Sequence, residues 1–314
     1  MPFAVAGRHH LTADGFGPIR PFLEDVAVSE VLINGPGAVW VERAGSLRRT
    51  DVAVTAPQLA LLIERILTPL GLRVDRSSPI VDARMPDGSR VNVVVPPLSV
   101  DGPSLSIRRF TAAAVRLPAF GPPDMVRTLT RLMAERASIL VVGQTSSGKT
   151  TLINALSHRI DPSERVVCIE DTAELQLAAA NVVRLEARPA NSEGVGAVTL
   201  RRLVLNALRM RPDRLVVGEV RGDEAFDLLL ALTSGHRGCL TSCHAADAAS
   251  GLRRLETLAS LAGSQLDHRR LRRMLADGLD AVVTTERCGP RRRVRSIVTI
   301  NDGRLYTRWH VANG

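Results

Sequence analysis

The eight residues Gly143-Gln144-Thr145-Ser146-Ser147-Gly148-Lys149-Thr150 constrain this chain more than any other stretch. They spell G-x-x-x-x-G-K-T. A β-rich run, Ser138-Ile139-Leu140-Val141-Val142, precedes them, and a segment apolar at Leu152, Ile153, Leu156 and Ile160 follows at helical spacing. Strand before and helix after is the setting in which this pattern forms a phosphate-binding loop. The glycines let backbone N–H groups turn inward around phosphate oxygens, and the helix N-terminus adds its partial positive charge. Lys149 is expected to reach the β- and γ-phosphates, and the Thr150 hydroxyl to ligate Mg²⁺. The expected nucleotide contacts are Gly143, Gln144, Thr145, Ser146, Ser147, Gly148, Lys149, Thr150 and Thr151. Composition sharpens the point, because Lys149 is the single lysine among 41 basic side chains. A guanine-reading Asn-Lys-x-Asp motif is therefore impossible here, which excludes an ordinary GTPase.

The chain has 314 residues, 45% of them hydrophobic and 23% charged. That is the mix of a globular protein with a sizeable core, and the length suits two domains. It excludes disordered, collagen-like and coiled-coil chains. No apolar run approaches the ~18–20 residues that span a bilayer. The opening Met1-Pro2-Phe3-Ala4-Val5-Ala6-Gly7-Arg8 lacks the basic-then-apolar pattern of a signal peptide. Cys168, Cys239, Cys243 and Cys288 make no disulfide framework, and a reduced, cytoplasmic setting is expected. Cys239 and Cys243 lie close, but no second pair completes a zinc site.

Most of the +9 net charge sits near the C-terminus, in Arg269-Arg270-Leu271-Arg272-Arg273 and Arg291-Arg292-Arg293-Val294-Arg295. Such a patch can hold nucleic acid, anionic lipid or an acidic partner. The plainer reading, a solvated helix face and a strand edge kept soluble by charge, is preferred. With 3% aromatic residues there is little to stack on bases, so no stable nucleic-acid partner is expected.

Residues 28–43 read as strand, turn, strand around Asn34-Gly35-Pro36-Gly37. Leu59, Leu62, Ile63, Ile66, Leu67 and Leu70 are spaced as one helix face. Short strands follow near Asp82–Met85, Val91–Val95 and Ser104–Ile107. Residues 1–110 thus form a small α/β domain. Residues 111–123, with three prolines and no periodicity, read as a linker, and 124–314 as a second domain in which strands alternate with helices around a mainly parallel sheet.

Two further strands of the second domain end in acids. Arg165–Ile169 runs into Glu170-Asp171-Thr172, and Leu215–Val217 into Gly218-Glu219. Ligands of open α/β sheets bind at the carboxyl ends of the strands, so both acids point at the phosphate loop's crevice. Glu219 could orient a water, position the metal through its water shell, or both. His236 and His244 bracket a short stretch and are candidates to sense a γ-phosphate, against an equally good structural reading.

These residues resemble the secretion-system and pilus-assembly ATPases of types II and IV, most of all the tight-adherence (Flp) pilus assembly branch. The likeness runs from about residue 22 to 300. In the first domain it is carried by Ser29–Pro36, Val81–Asn92 and Leu105–Phe110. In the second it is carried by the phosphate loop (Walker A), Ile169–Leu175 (Asp box), Leu208–Arg214, Val216–Gly222 (an atypical Walker B) and Gly235–Ala245 (His box). The resemblance implies a PAS-like N-terminal domain joined to a RecA-like ATPase domain, assembled as a homo-hexameric ring. It implies ATP and Mg²⁺ bound between the domains, and movement passed to an inner-membrane platform protein at the cytoplasmic face. Peripheral membrane association would come through partners. Arg90 and Arg108 match arginines of that family that contact nucleotide, and Arg84 matches less closely. Lys149, Glu219, Glu170, Arg90 and Arg108 are the implied catalytic set. The chain departs from the pattern in lacking a long N-terminal extension and a four-cysteine module, and in Arg237, Cys239 and Cys243 within the His box. A conjugation-type DNA-transfer ATPase of the same superfamily and a non-catalytic nucleotide-binding scaffold remain the alternatives; a small-molecule kinase would need neither this first domain nor the His box.

Overall fold

The computed structural model describes residues 13–43, 45–109, 115–188, 195–263, 266–289 and 291–311. The opening residues read for a signal peptide lie outside these. The chain divides into two compact units, Met1–Ala112 and Ala113–Gly314.

The first unit is a six-stranded antiparallel sheet. Its strands are β1 (Val28–Asn34), β2 (Gly37–Arg43), β3 (Ser46–Val54), β4 (Ile80–Arg84), β5 (Arg90–Val94) and β6 (Ser104–Arg108), in the order β3-β2-β1-β6-β5-β4. Alternation buries one face through Val31, Ile33, Val39, Val41, Val91, Val93, Leu105 and Ile107. Helix α2 (Ala56–Leu67) covers that face with Leu59, Leu62, Ile63, Ile66 and Leu67. A reciprocal capping box between Thr55 and Gln58 starts α2. The short α1 (Arg20–Glu24) precedes the sheet. Strand β3 escapes the sequence reading, because its residues are mostly exposed and polar.

The second unit holds an eight-stranded sheet. Its strands are β7 (Ile139–Gly143), β8 (Arg165–Glu170), β9 (Asn181–Glu186), β10 (Arg214–Val217), β11 (Leu240–His244), β12 (Ala281–Cys288), β13 (Arg291–Asn301) and β14 (Arg304–His310). The order is β14-β13-β12-β7-β11-β10-β8-β9. The run from β12 to β9 is parallel, and β13 and β14 close one side antiparallel. Helices cover both faces: α3 (Pro123–Ala134) and α4 (Lys149–Ser157) on one, and α5 (Leu200–Ala207), α6 (Glu224–Thr233), α7 (Ala248–Leu261) and α8 (His268–Gly278) on the other. Successive residues of β7 therefore serve different cores. Leu140 and Val142 pack with the second group of helices, Ile139 and Val141 with the first.

Of residues 111–123, read as linker, 111–114 lie outside the described residues and 115–123 belong to this second unit. Leu117–Phe120 form a 3₁₀ turn whose Leu117 and Phe120 are buried in the core beside α3 and α4. Too few residues stand between the prolines for any periodicity to show. Of the basic segments, Arg269, Arg270, Arg272 and Arg273 are exposed on α8. Among the described residues, β14 pairs with β13 only from Arg295 onward, which leaves the arginine-rich start of β13 as an edge.

Phe120→Ala separates these readings. A linker side chain would be indifferent to truncation, whereas the buried ring predicts a loss of about 3–5 kcal/mol. Denaturant unfolding of the second unit is the measurement.

Candidate functional site

Strand β7 delivers the chain to the loop, and α4 begins at Lys149. Gly143 has no room for a Cβ: one built there would lie 2.3 Å from Ser147 Oγ and 2.5 Å from Thr285 Oγ1. Ser147 and Thr285 share a hydrogen bond of 2.9 Å, and Thr285 also donates to Val142 O at 3.2 Å. Ser146 and Gly148 take positive φ (61° and 100°), which curls the loop back on itself. Gln144, Thr145 and Ser146 form the exposed rim, and Thr150 and Thr151 are half-buried on the first turn of α4. Lys149 is buried, and its Nζ donates to Gly143 O (3.1 Å) and Gln144 O (3.2 Å). Burial holds its pKa below the ordinary value, and Glu219 acts the other way. A buried ammonium inside a tight ring of backbone suits a polyphosphate.

Sheet order explains the rest of the crevice. Strand β11 lies between β7 and β10, with His244 opposite Gly143 in register. Glu219 stands two residues beyond the end of β10. Its Oε2 accepts from Arg221 Nε at 2.9 Å, and a second Arg221 nitrogen bonds the same oxygen. His244 Nε2 is 3.1 Å from Glu219 Oε1, close but without the alignment of a hydrogen bond. Burial, then the charge of Lys149, push the His244 pKa down. Lys149, Glu219, Arg221 and His244 are thus brought together as the strand-end rule expects.

Glu170 is placed differently. It is buried, and its Oε1 accepts from the backbone N–H of Glu174 and Leu175, both at 2.8 Å. Burial raises its pKa, and these two hydrogen bonds oppose the rise. Its carboxylate turns into the strand-end turn rather than toward the loop. The acids that act on the crevice from this turn are Glu174, felt by Lys149 and Arg221, and Asp171, felt by Arg221. Sequence reasoning missed Glu174, although it follows Glu170 by four residues in the same turn.

His236 is not in the crevice. It lies before the amino end of β11, the end opposite the phosphate loop, and its Nδ1 is 3.3 Å from Ala231 O near the end of α6. Neighbouring Arg237 pairs with Asp280, whose other oxygen accepts from Ser138 N at the start of β7. The two histidines bracket a strand, so one belongs to each end of the sheet.

In the first unit, register places Arg84 opposite Arg90 and Arg90 opposite Arg108, three arginines in a row across β4, β5 and β6. Like charges directly opposite destabilise a sheet unless an anion or carboxylate intervenes. Arg108 has no acid nearby in sequence but meets Glu30 across β1, with Nε 3.5 Å from Oε1.

Among the described residues, no three or more His, Cys, Asp or Glu side chains gather in a way that could hold a metal ion. A Mg²⁺ here would rest on the Thr150 hydroxyl and on phosphate oxygens, the sparse protein coordination usual for that ion. Among them, too, no helix is long and apolar enough to cross a membrane.

A parallel sheet whose phosphate-loop strand is separated by one strand from the strand ending in an acid defines the RecA-like class of P-loop folds. The chain belongs to the family described as Type II/IV secretion system protein, whose model matches residues 12–299. It is 37% identical to a conjugal transfer protein of Mycobacterium tuberculosis, over 96% of this chain and 90% of that one. It is 34% identical to conjugal transfer protein TrbB of Rhizobium radiobacter, over 88% and 85%. Among solved structures it resembles the VirB11 ATPase of the Brucella suis type IV secretion system in complex with sulphate, at 29% identity, TM-score 0.51, and coverage of 91% and 93%. The Legionella pneumophila ATPase DotB, at 20% identity and TM-score 0.66 over 89% and 79%, shares the fold.

The cysteines give a direct check of burial. Cys168, Cys239 and Cys243 are buried and Cys288 is exposed. Burial pushes the thiols of Cys239 and Cys243 up to about 12 and that of Cys168 higher still. Thiolate is the reactive form. One thiol, Cys288, is therefore expected to react with a chromogenic disulfide at pH 8 in the native protein, and all four in denaturant.

Proposed function

We propose that this protein is a Mg²⁺-dependent ATP hydrolase that powers pilus assembly or protein secretion at the inner face of the bacterial cytoplasmic membrane. The observation that carries this reading is the convergence of Lys149, Glu219 and His244 at the carboxyl ends of neighbouring strands around a glycine loop. Lys149 would bind the β/γ-phosphate charge, with the backbone of Gly143–Thr151 cradling the rest. Thr150 would hold Mg²⁺, which neutralises charge developing on the phosphates. Glu219 would orient the attacking water and draw its proton, and Glu174 would add negative charge to the same crevice. His244, kept neutral, would hold Glu219 in place. Glu170 positions the turn that presents Glu174. His236 has no part in the chemistry.

Arg90 and Arg108 are assigned to nucleotide contact, with Arg84 beside them in the row. The protein would work as a homo-hexameric ring whose units move on turnover, docked on an inner-membrane platform protein, with peripheral membrane association through partners. The ATPase named among the resembling structures supports hydrolysis. The conjugation-type reading is the second, and the names of the two relatives favour it.

Lys149→Ala is expected to abolish hydrolysis and weaken ATP binding. Glu219→Gln is expected to keep binding and slow turnover by about 10²-fold or more, the range for a lost base or water orienter. Single-turnover kinetics with a parallel binding assay decide; normal turnover in Lys149→Ala sinks the loop assignment, and undiminished turnover in Glu219→Gln sinks the base.

For the first unit, Arg90→Ala and Arg108→Ala should each lower turnover while thermal unfolding stays near that of the parent. A fall in stability matching the fall in rate would reduce both to structural residues.

A further inference from the structure

We propose that Arg221 is a positioning residue for Glu219: it holds one oxygen of that carboxylate and so leaves the other open to the attacking water. The inference rests on the reading of Glu219 as the base. Strand β10 ends at Val217, and the chain beyond it stays tied to both neighbouring strands. Gly218 N donates to Ile169 O on β8 at 2.9 Å, and Val220 N to Ser242 O on β11 at 2.8 Å. Ser242 Oγ donates to Gly218 O at 2.7 Å. Val220, between the two charged residues, is buried in the core under α5 to α8. The backbone that carries Glu219 and Arg221 is therefore fixed.

A fixed backbone does not by itself aim a carboxylate. The last torsion of a glutamate side chain is broad and roughly two-fold, so rotamer preference leaves its oxygens free to exchange places. Arg221 removes that freedom. Its Nε donates to Glu219 Oε2 at 2.9 Å, and its Nη2 donates to the same oxygen. Oε1 is buried, and among the described residues it accepts no hydrogen bond. It lies on the His244 side, 3.1 Å from Nε2, in the crevice where Lys149 feels the charge of Glu219. A buried carboxylate oxygen without a donor is costly, and a water would supply one. The two oxygens thus have separate tasks.

Arg221 is itself held in place. Its backbone N–H and that of Gly222 both donate to Glu224 Oε1, at 2.6 and 2.9 Å. Glu224 is 3% exposed. A Cβ built on Gly222 would lie 3.1 Å from Glu224 Oε2, so the turn closes tightly on this buried carboxylate. Asp171 and Glu174 also act on the guanidinium by charge, yet both of its hydrogen bonds go to Glu219. The planar fork of an arginine has a geometry that an ammonium does not reproduce.

The test measures single-turnover hydrolysis at saturating ATP with Mg²⁺, which reads the chemical step apart from binding. It compares Arg221→Ala, Arg221→Lys, Glu219→Gln and the two double variants, all in the full chain. Arg221→Ala and Arg221→Lys are each expected to slow the step by about ten- to a hundredfold, the range for a misplaced reacting group. Thermal unfolding without ligand should stay near that of the parent. In the Glu219→Gln background neither change should slow turnover further, because residues that act as a unit are not additive. If Arg221→Lys turns over as the parent does, Arg221 serves only to neutralise the acids around it, and the inference is overturned. A loss confined to the affinity for a non-hydrolysable ATP analogue, with the saturated rate intact, overturns it as well. So does a full additional loss in the double variants, which marks a role independent of Glu219. Where Glu219→Gln is slow and the Arg221 variants are not, this inference alone fails. Where Glu219→Gln turns over normally, the reading of Glu219 as base fails and this inference with it.

Discussion

A buried ammonium group organises the second unit. Lys149 Nζ lies out of water against two carbonyls of its own loop, and burial already draws its pKa down. A cation so placed is costly unless charge of the other sign stands near. Glu219 supplies part of it, from the end of β10. The order β7-β11-β10 makes the meeting possible, because one intervening strand sets the two ends a short, fixed distance apart and brings His244 between them. Arg221 then answers the excess of carboxylate from Glu219, Asp171 and Glu174.

Much of this could be read from the letters. The glycine loop was legible because its geometry depends on residue types at fixed spacing, and the strand and helix around it carry strong apolar patterns. Helix α2 was legible from Leu59 to Leu67 for the same reason. What escaped had weak or mixed patterns. Strand β14 is exposed along nearly its whole length, and β9 is half-exposed at the sheet's end, so neither carries a clear apolar run. Strand β11 was hidden inside Leu240-Thr241-Ser242-Cys243-His244, whose polar Thr241 and Ser242 are buried all the same. Missing it made His236 and His244 look like partners.

The acids show a different limit. Glu170 and Glu174 are four residues apart, and the letters do not say which points inward. The backbone decides it, since the turn after β8 needs an acceptor for two N–H groups and Glu170 provides one.

The alternation of β7 between two cores has a consequence for how such a chain can change. Leu140 and Val141 are joined by a peptide bond, yet each is packed among residues the other does not meet. Substitutions with no shared partners tend to add independently, whereas those within one packed cluster couple. Sequence distance is thus a poor guide to energetic distance in this sheet. The face beneath α3 and α4 can drift in composition while the face beneath α5 to α8 stays as it is, and the reverse. The strand that carries the phosphate loop is a partition between two separately adjustable halves, and the loop at its end can keep its shape while either half is rebuilt.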